Sequence, residues 1–191
     1  MLSEQEIEFK NLLTKEEFMS LTDFFHIKPK HFQSQINYYF DTPDQYFKNN
    51  HMGFRLRVLE DRNELTLKSP VKKHVMNEQT ILVTDEQRDL IINQAIFPSI
   101  AFIDELIASK SLSCFGSIET NRAQLKLEEG ILFLDHSSYS HTEDYEVEYE
   151  SKDVEKGQKF FYELLKKHQI PLRSTDKKIA RLVKAMNSLK G

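Results

Sequence analysis

Along several short stretches of the chain, polar and apolar residues alternate one by one, the period of a strand with one covered face. Residues 4–10 put Glu4, Glu6, Glu8 and Lys10 on one side and Ile7 and Phe9 on the other. Gln35 to Phe40 is aromatic and β-prone and stops at Asp41-Thr42-Pro43-Asp44, a turn sequence. Phe54 to Leu59 and Glu64 to Lys68 read as a hairpin around Glu60-Asp61-Arg62-Asn63, with a further strand over Glu78 to Val83. Strands return at 116–128, 131–136 and 145–151, with a hairpin turn near Glu129-Gly130. Elsewhere the period lengthens to that of a helix. Thr14 and Glu17 form a capping box ahead of Phe18, Leu21 and Phe25, and Thr84 with Gln87 repeats it before a helix over 85–96. Further helices are expected from Ser99 to Ser109 (Phe102, Ile103, Leu106, Ile107), over 154–168 (Phe160, Phe161, Leu164, Leu165), and after Ser174 or Thr175 (Ile179, Leu182, Val183, Met186). There is no internal repeat or Pro/Gly/Ser linker, so the pattern predicts one α+β domain over 1–191.

The polar faces of these strands are unusual in their segregation of charge. Arg55 and Arg57 oppose Phe54, Leu56 and Val58; Glu64, Thr66 and Lys68 oppose Leu65 and Leu67. Arg122, Gln124 and Lys126 oppose Ala123, Leu125 and Leu127, and Glu146, Glu148 and Glu150 oppose Val147 and Tyr149. For any one strand, a charged face in water is the plain alternative. As a set, rows of like charge are unfavourable unless opposite charge sits among them. A closed antiparallel β-barrel with helices packed outside and a polar lumen satisfies both the apolar and the charged faces. Rows of carboxylates suit a hard cation such as Mg²⁺ or Mn²⁺. Lys10, Arg55, Arg57, Lys68, Arg122, Lys126 and Lys178 suit phosphate oxygens, and so many basic groups suit several phosphates better than one.

Composition removes other classes. A formal net charge of -4 gives no sign of a nucleic-acid or membrane surface. The first residues show neither a basic nor an apolar signal region, and no apolar run approaches the ~18 residues of a membrane span, so a soluble cytoplasmic protein is the expectation. No Gly-x-x-x-x-Gly-Lys-Ser/Thr loop is present, and the histidines lack the His-Glu-x-x-His spacing. Surface or turn roles are expected for them, with His136, beside Asp135, near the barrel mouth. Cys114 has no neighbouring motif and is expected as a buried, inert thiol. Lys72-Lys73 and Lys166-Lys167 are expected to be solvated.

Taken in order, several segments resemble the CYTH domain, or triphosphate tunnel metalloenzyme, family: EIEFK (6–10), NYYFDTPD (37–44), GFRLRV (53–58), ELTLK (64–68), Thr120 with Arg122, LDHSSY (134–139), DYEVEYE (144–150) and KKIARL (177–182). The resemblance runs from about residue 4 to about residue 185 and is closest to small stand-alone bacterial members. It implies an eight-stranded antiparallel tunnel that hydrolyses triphosphates with divalent metals, Mg²⁺ or Mn²⁺. Carried over, it implies Glu6, Glu8, Glu146 and Glu148 as metal ligands with Glu150 as a further candidate, and Glu6, Glu8 and Glu148 in catalysis. Lys10, Arg55, Arg57, Lys68, Arg122 and Lys178 would contact phosphates. The chain departs from the pattern at Ile179, where an aromatic is common, and at Thr80, where a second acid often follows Glu78; Lys177 and Lys178 both compete for the closing lysine. No base- or ribose-recognition motif is evident, so inorganic tripolyphosphate is the expected substrate, with no nucleic-acid or membrane partner. Some members of the family are adenylate cyclases, and a non-catalytic polyphosphate or nucleotide sensor is the alternative outside enzymes.

Overall fold

The computed structural model describes residues 2–107 and 110–188. The chain runs β1 (Leu2–Leu13), α1 (Lys15–Phe24), β2 (Phe32–Asp41), α2 (Tyr46–Asn49), β3 (Gly53–Val58), β4 (Asn63–Lys72), β5 (Val75–Val83), α3 (Asp85–Gln94) and α4 (Ala101–Ile107). It continues through β6 (Ser113–Leu127), β7 (Gly130–Tyr139), β8 (Thr142–Ser151), α5 (Val154–Lys167) and α6 (Lys178–Ser188). The strands close into a barrel in the order β1-β5-β4-β3-β2-β6-β7-β8. This is the α+β tunnel architecture expected from the alternating faces. The expected reach of the α4 segment to Ser109 lies outside the described residues, as do the side chains of Phe102 and Ile107.

Local chemistry sets most boundaries. Thr14 and Thr84 both form full capping boxes, with Glu17 and Gln87 reaching back to the cap N–H. After β2, Asp41 accepts hydrogen bonds from the N–H groups of Phe47 and Lys48, and Thr42 accepts from Tyr46, so the expected turn continues into the short helix α2. The β7–β8 turn places Ser140 and His141 both at positive φ, the twist a two-residue hairpin favours, without the Asn-Gly sequence that usually announces it. At the β6–β7 turn, a Cβ on Gly130 would lie 2.2 Å from the Glu150 carbonyl oxygen, so only glycine fits there.

The chain forms two compact units. One comprises residues 1–5, 35–71 and 76–118. Its core gathers Phe40, Phe54, Leu56, Leu65 and Leu67 from the strands under Ile91 of α3 and Ile103 of α4. The other comprises residues 6–34, 72–75 and 119–191. Phe9, Leu132, Leu134, Val147 and Tyr149 there pack under Phe18 and Leu21 of α1 and Phe161, Leu164 and Leu165 of α5. In both units apolar strand residues such as Phe9, Val147, Phe54 and Leu65 pack with helix residues, so the charged residues alternating with them lie on the opposite strand face. No described helix is long and apolar enough to cross a membrane.

Candidate active site

The second unit builds a dense acid–base cluster on that charged face. β1 and β8 pair with Lys10 opposite Glu148 and Glu8 opposite Glu150, while β7 sets Asp135 between Glu146 on β8 and Arg122 on β6. Glu146 and Asp135 are 0% exposed and Glu148 7%. The Arg122 guanidinium forks onto Asp135, with Nε donating to Oδ1 at 2.7 Å and its second amino group to Oδ2 at 2.6 Å; it also pairs with Glu148 and lies over the Phe133 ring at 4.3 Å. Lys10 pairs with Glu8 and stands 4.0 Å from Glu148.

The first turn of α6 delivers the central cation. Lys178 Nζ lies 2.8 Å from Asp135, 2.7 Å from Glu146 and 2.6 Å from Glu148. Of the two competing lysines, Lys178 enters the cluster. One turn on, Arg181 donates to Glu146 Oε2 at 2.6 Å, to Asp144 at 2.8 Å and to the Asp176 carbonyl at 2.7 Å; Asp144 also accepts from the Tyr139 hydroxyl. The segment leading into α6 is tied to β1. Asn11, fully buried, donates to the Pro171 carbonyl and accepts from the Arg173 N–H, and Leu12 N–H donates to Thr175.

Opposed effects set the charge states. Burial alone would raise Glu148 and Asp135, but Lys178 and Arg122 outweigh it: they hold Glu148 well below the usual carboxylate range and Asp135 below it. Burial likewise disfavours the Lys178 ammonium, yet Asp135, Glu146 and Glu148 push its pKa well above the ordinary value. Glu150 behaves differently. Burial, followed by the hydrogen bond and charge of Glu6, raises it to about 9.

The other unit presents a second row. Arg57 donates to Asn37 at 3.0 Å, Lys68 lies 2.7 Å from Glu78, and the Thr66 and Thr80 hydroxyls bond at 2.9 Å. Arg55 sits between Tyr39 and Thr66 across the ladder. Thr80, where a second acid often stands, is thus used as a partner for Thr66. Glu4, Gln124 and Lys126 are exposed. Asp135, Asp144, Arg181 and Asn37 were not among the residues singled out from sequence. Cys114 is exposed at the start of β6 rather than buried as expected, although its thiol pKa is raised. His136 stacks on Tyr145 at 4.6 Å and bonds Glu143 at 2.8 Å, a surface role.

Hard-cation chemistry suits these donors. The carboxylates of the cluster (Glu6, Glu8, Asp135, Asp144, Glu146, Glu148, Glu150) outnumber its basic groups (Lys10, Arg122, Lys178, Arg181). Glu146 Oε1 is buried without a hydrogen-bond partner, a position an added cation would satisfy. Among the described residues no three such side chains are already arranged as a metal cage, because Lys178 stands among Asp135, Glu146 and Glu148.

A closed antiparallel barrel, clad in helices and carrying acid–base rows on its strands, defines a charged-tunnel protein. The CYTH domain model matches residues 4–183, and the chain belongs to that family. It is 38% identical over 187 residues, 95% of each chain, to "Putative triphosphatase YjbK" of Bacillus subtilis (strain 168). Among solved structures, it resembles one described as a putative adenylate cyclase from Bacillus halodurans, with 36% identity, TM-score 0.89, and coverage of 95% of this chain and 98% of that one. It also shares the fold of HpAC1 from Hippeastrum, described as having a dominant triphosphatase activity, at 21% identity and TM-score 0.77 over 94% of this chain and 95% of that one.

Proposed function

We propose that this protein is a divalent-metal-dependent triphosphatase whose substrate is inorganic tripolyphosphate. The observation that carries the reading is the buried cluster of Asp135, Glu146 and Glu148, which stands in ion-pair distance of Arg122 and Lys178 with Lys10 beside it. Glu6, Glu8, Glu146, Glu148 and Glu150 are the proposed metal ligands. The bound Mg²⁺ or Mn²⁺ supplies Lewis-acid polarisation and a water of lowered pKa. Lys10, Arg55, Arg57, Lys68, Arg122 and Lys178 are the proposed phosphate contacts. They would stabilise the charge that develops as water attacks the terminal phosphorus in line and the bridging P–O bond breaks, releasing orthophosphate and diphosphate. Lys126, exposed, is proposed as an outer contact. The names carried by the bacterial relatives agree with a triphosphate substrate but divide between hydrolysis and cyclisation.

One assay separates the readings: phosphate release from tripolyphosphate, ATP and thiamine triphosphate at equal concentration, with Mg²⁺ or Mn²⁺. Tripolyphosphate is expected to turn over fastest, and faster release from a nucleotide overturns the substrate. Cyclic AMP with pyrophosphate from ATP indicates the cyclase. No turnover of any of them leaves a sensor. Glu148→Gln is expected to abolish turnover while tripolyphosphate still binds.

A further inference from the structure

Glu146 has two unlike oxygens. Oε2 accepts from Arg181 at 2.6 Å and lies 2.7 Å from the Lys178 ammonium, whereas Oε1 is buried and accepts nothing. Arg181 is itself fixed on every side. Its Nε donates to Asp144 Oδ2 at 2.8 Å, one amino group donates to the Asp176 carbonyl at 2.7 Å, and the other, which holds Glu146, is 3.3 Å from Asp144 Oδ1. Behind it, Asp144 accepts the hydroxyl proton of Tyr139, a residue 8% exposed. A planar fork held at three points can keep one carboxylate oxygen in place; an ammonium at the same position cannot.

We propose that Tyr139, Asp144 and Arg181 form a positioning relay that fixes Glu146 by Oε2, so that Oε1 is presented as a single-oxygen metal ligand. This rests on the metal-dependent reading of the site given above. The three residues touch neither metal nor substrate; they act through Glu146. Partners standing behind a metal ligand typically change metal affinity by about 10–100-fold when removed.

Titration of Mn²⁺ alone into the whole chain tests this, with metal-free thermal melts recorded in parallel. Arg181→Lys and Asp144→Asn are each expected to weaken Mn²⁺ binding about tenfold or more, and Tyr139→Phe severalfold. Glu146→Gln sets the reference loss. The double variant Glu146→Gln/Arg181→Lys should bind no more weakly than Glu146→Gln, because both changes remove one interaction. If the double loss is instead the product of the single losses, Arg181 does not act through Glu146 and the relay is refuted. Variants that melt lower yet bind Mn²⁺ like the parent refute it as well, because they show a structural role only. A parent that binds no Mn²⁺, with or without tripolyphosphate, overturns the metal-dependent reading itself. A parent that binds Mn²⁺ while Asp144→Asn matches it overturns the relay alone.

Discussion

Lys178→Met asks what keeps the acidic cluster folded. The substitution preserves length and removes the ammonium that stands within 2.6–2.8 Å of Asp135, Glu146 and Glu148. Asp135 and Glu146 are fully buried, so water cannot replace it. Taking one partner from a buried charge pair costs about 3–5 kcal/mol. At ~2–4 °C per kcal/mol for a chain of this length, the metal-free melting temperature should drop by roughly 10 °C. Mn²⁺ can stand in for the missing charge, and a ligand at a hundredfold over its Kd returns about 2.7 kcal/mol. The parent gains less, because there the cation must compete with Lys178. The gap between variant and parent should therefore narrow markedly in Mn²⁺. Lys184→Met, which removes a pairing between exposed residues, Lys184 of the same helix and Asp176 just before it, is the control and should melt like the parent. Scanning calorimetry with and without Mn²⁺ decides the matter. A variant that melts with the parent in the absence of metal, or a gap that Mn²⁺ leaves unchanged, refutes this account.

The apolar side of the same strands is tested by Val147→Asp, which sets an unpaired carboxylate among Phe9, Phe18 and Phe161 and should cost about 4 kcal/mol or more in urea melts. Gly157→Ala should destabilise by about 1 kcal/mol or more: helix propensity favours alanine, but its Cβ would lie 2.5 Å from Ser151 Cβ and 2.7 Å from the Phe9 ring. Arg173 bonds both oxygens of Glu17 and depresses its pKa. That stabilisation is present above the ordinary value of 4.5 and lost as pH falls through the lower folded value. The stability difference between the parent and Arg173→Gln should thus shrink from pH 5 to pH 3 in urea titrations.

Strand parity was legible wherever charge and apolarity alternated without interruption, as in Glu6 to Lys10 and Glu146 to Glu150. It failed for Asp135, since the same face of β7 also carries Phe133, which serves Arg122 as a stacking surface. A lone acid among apolar neighbours gives no row to read. Arg181 lies three residues beyond Lys178 and was visible as helical spacing, but Lys177 at four residues fits that face equally well. The choice between them is made by tertiary contacts the sequence does not display: 171–175 is tied to Asn11 and Leu12, and Lys178 and Arg181 meet Glu146. The β7–β8 turn was silent because Ser140 and His141 adopt positive φ under the demand of the flanking ladder rather than by their own preference.

The pairing of β1 with β8 also governs time. Lys10 is made early, but its partner Glu148 follows more than a hundred residues later, and Lys178 later still. At ~5–20 residues per second, a ribosome leaves the first strand waiting several seconds or longer for that neighbour. The carboxylates of β7 and β8 emerge before the ammonium that will neutralise them. The nascent chain must therefore carry an unfinished seam: Phe9 and Val147 wait for Phe161 and Leu165 of α5 to cover them, and the carboxylates of β7 and β8 wait longer still, until Lys178 of α6 arrives among them.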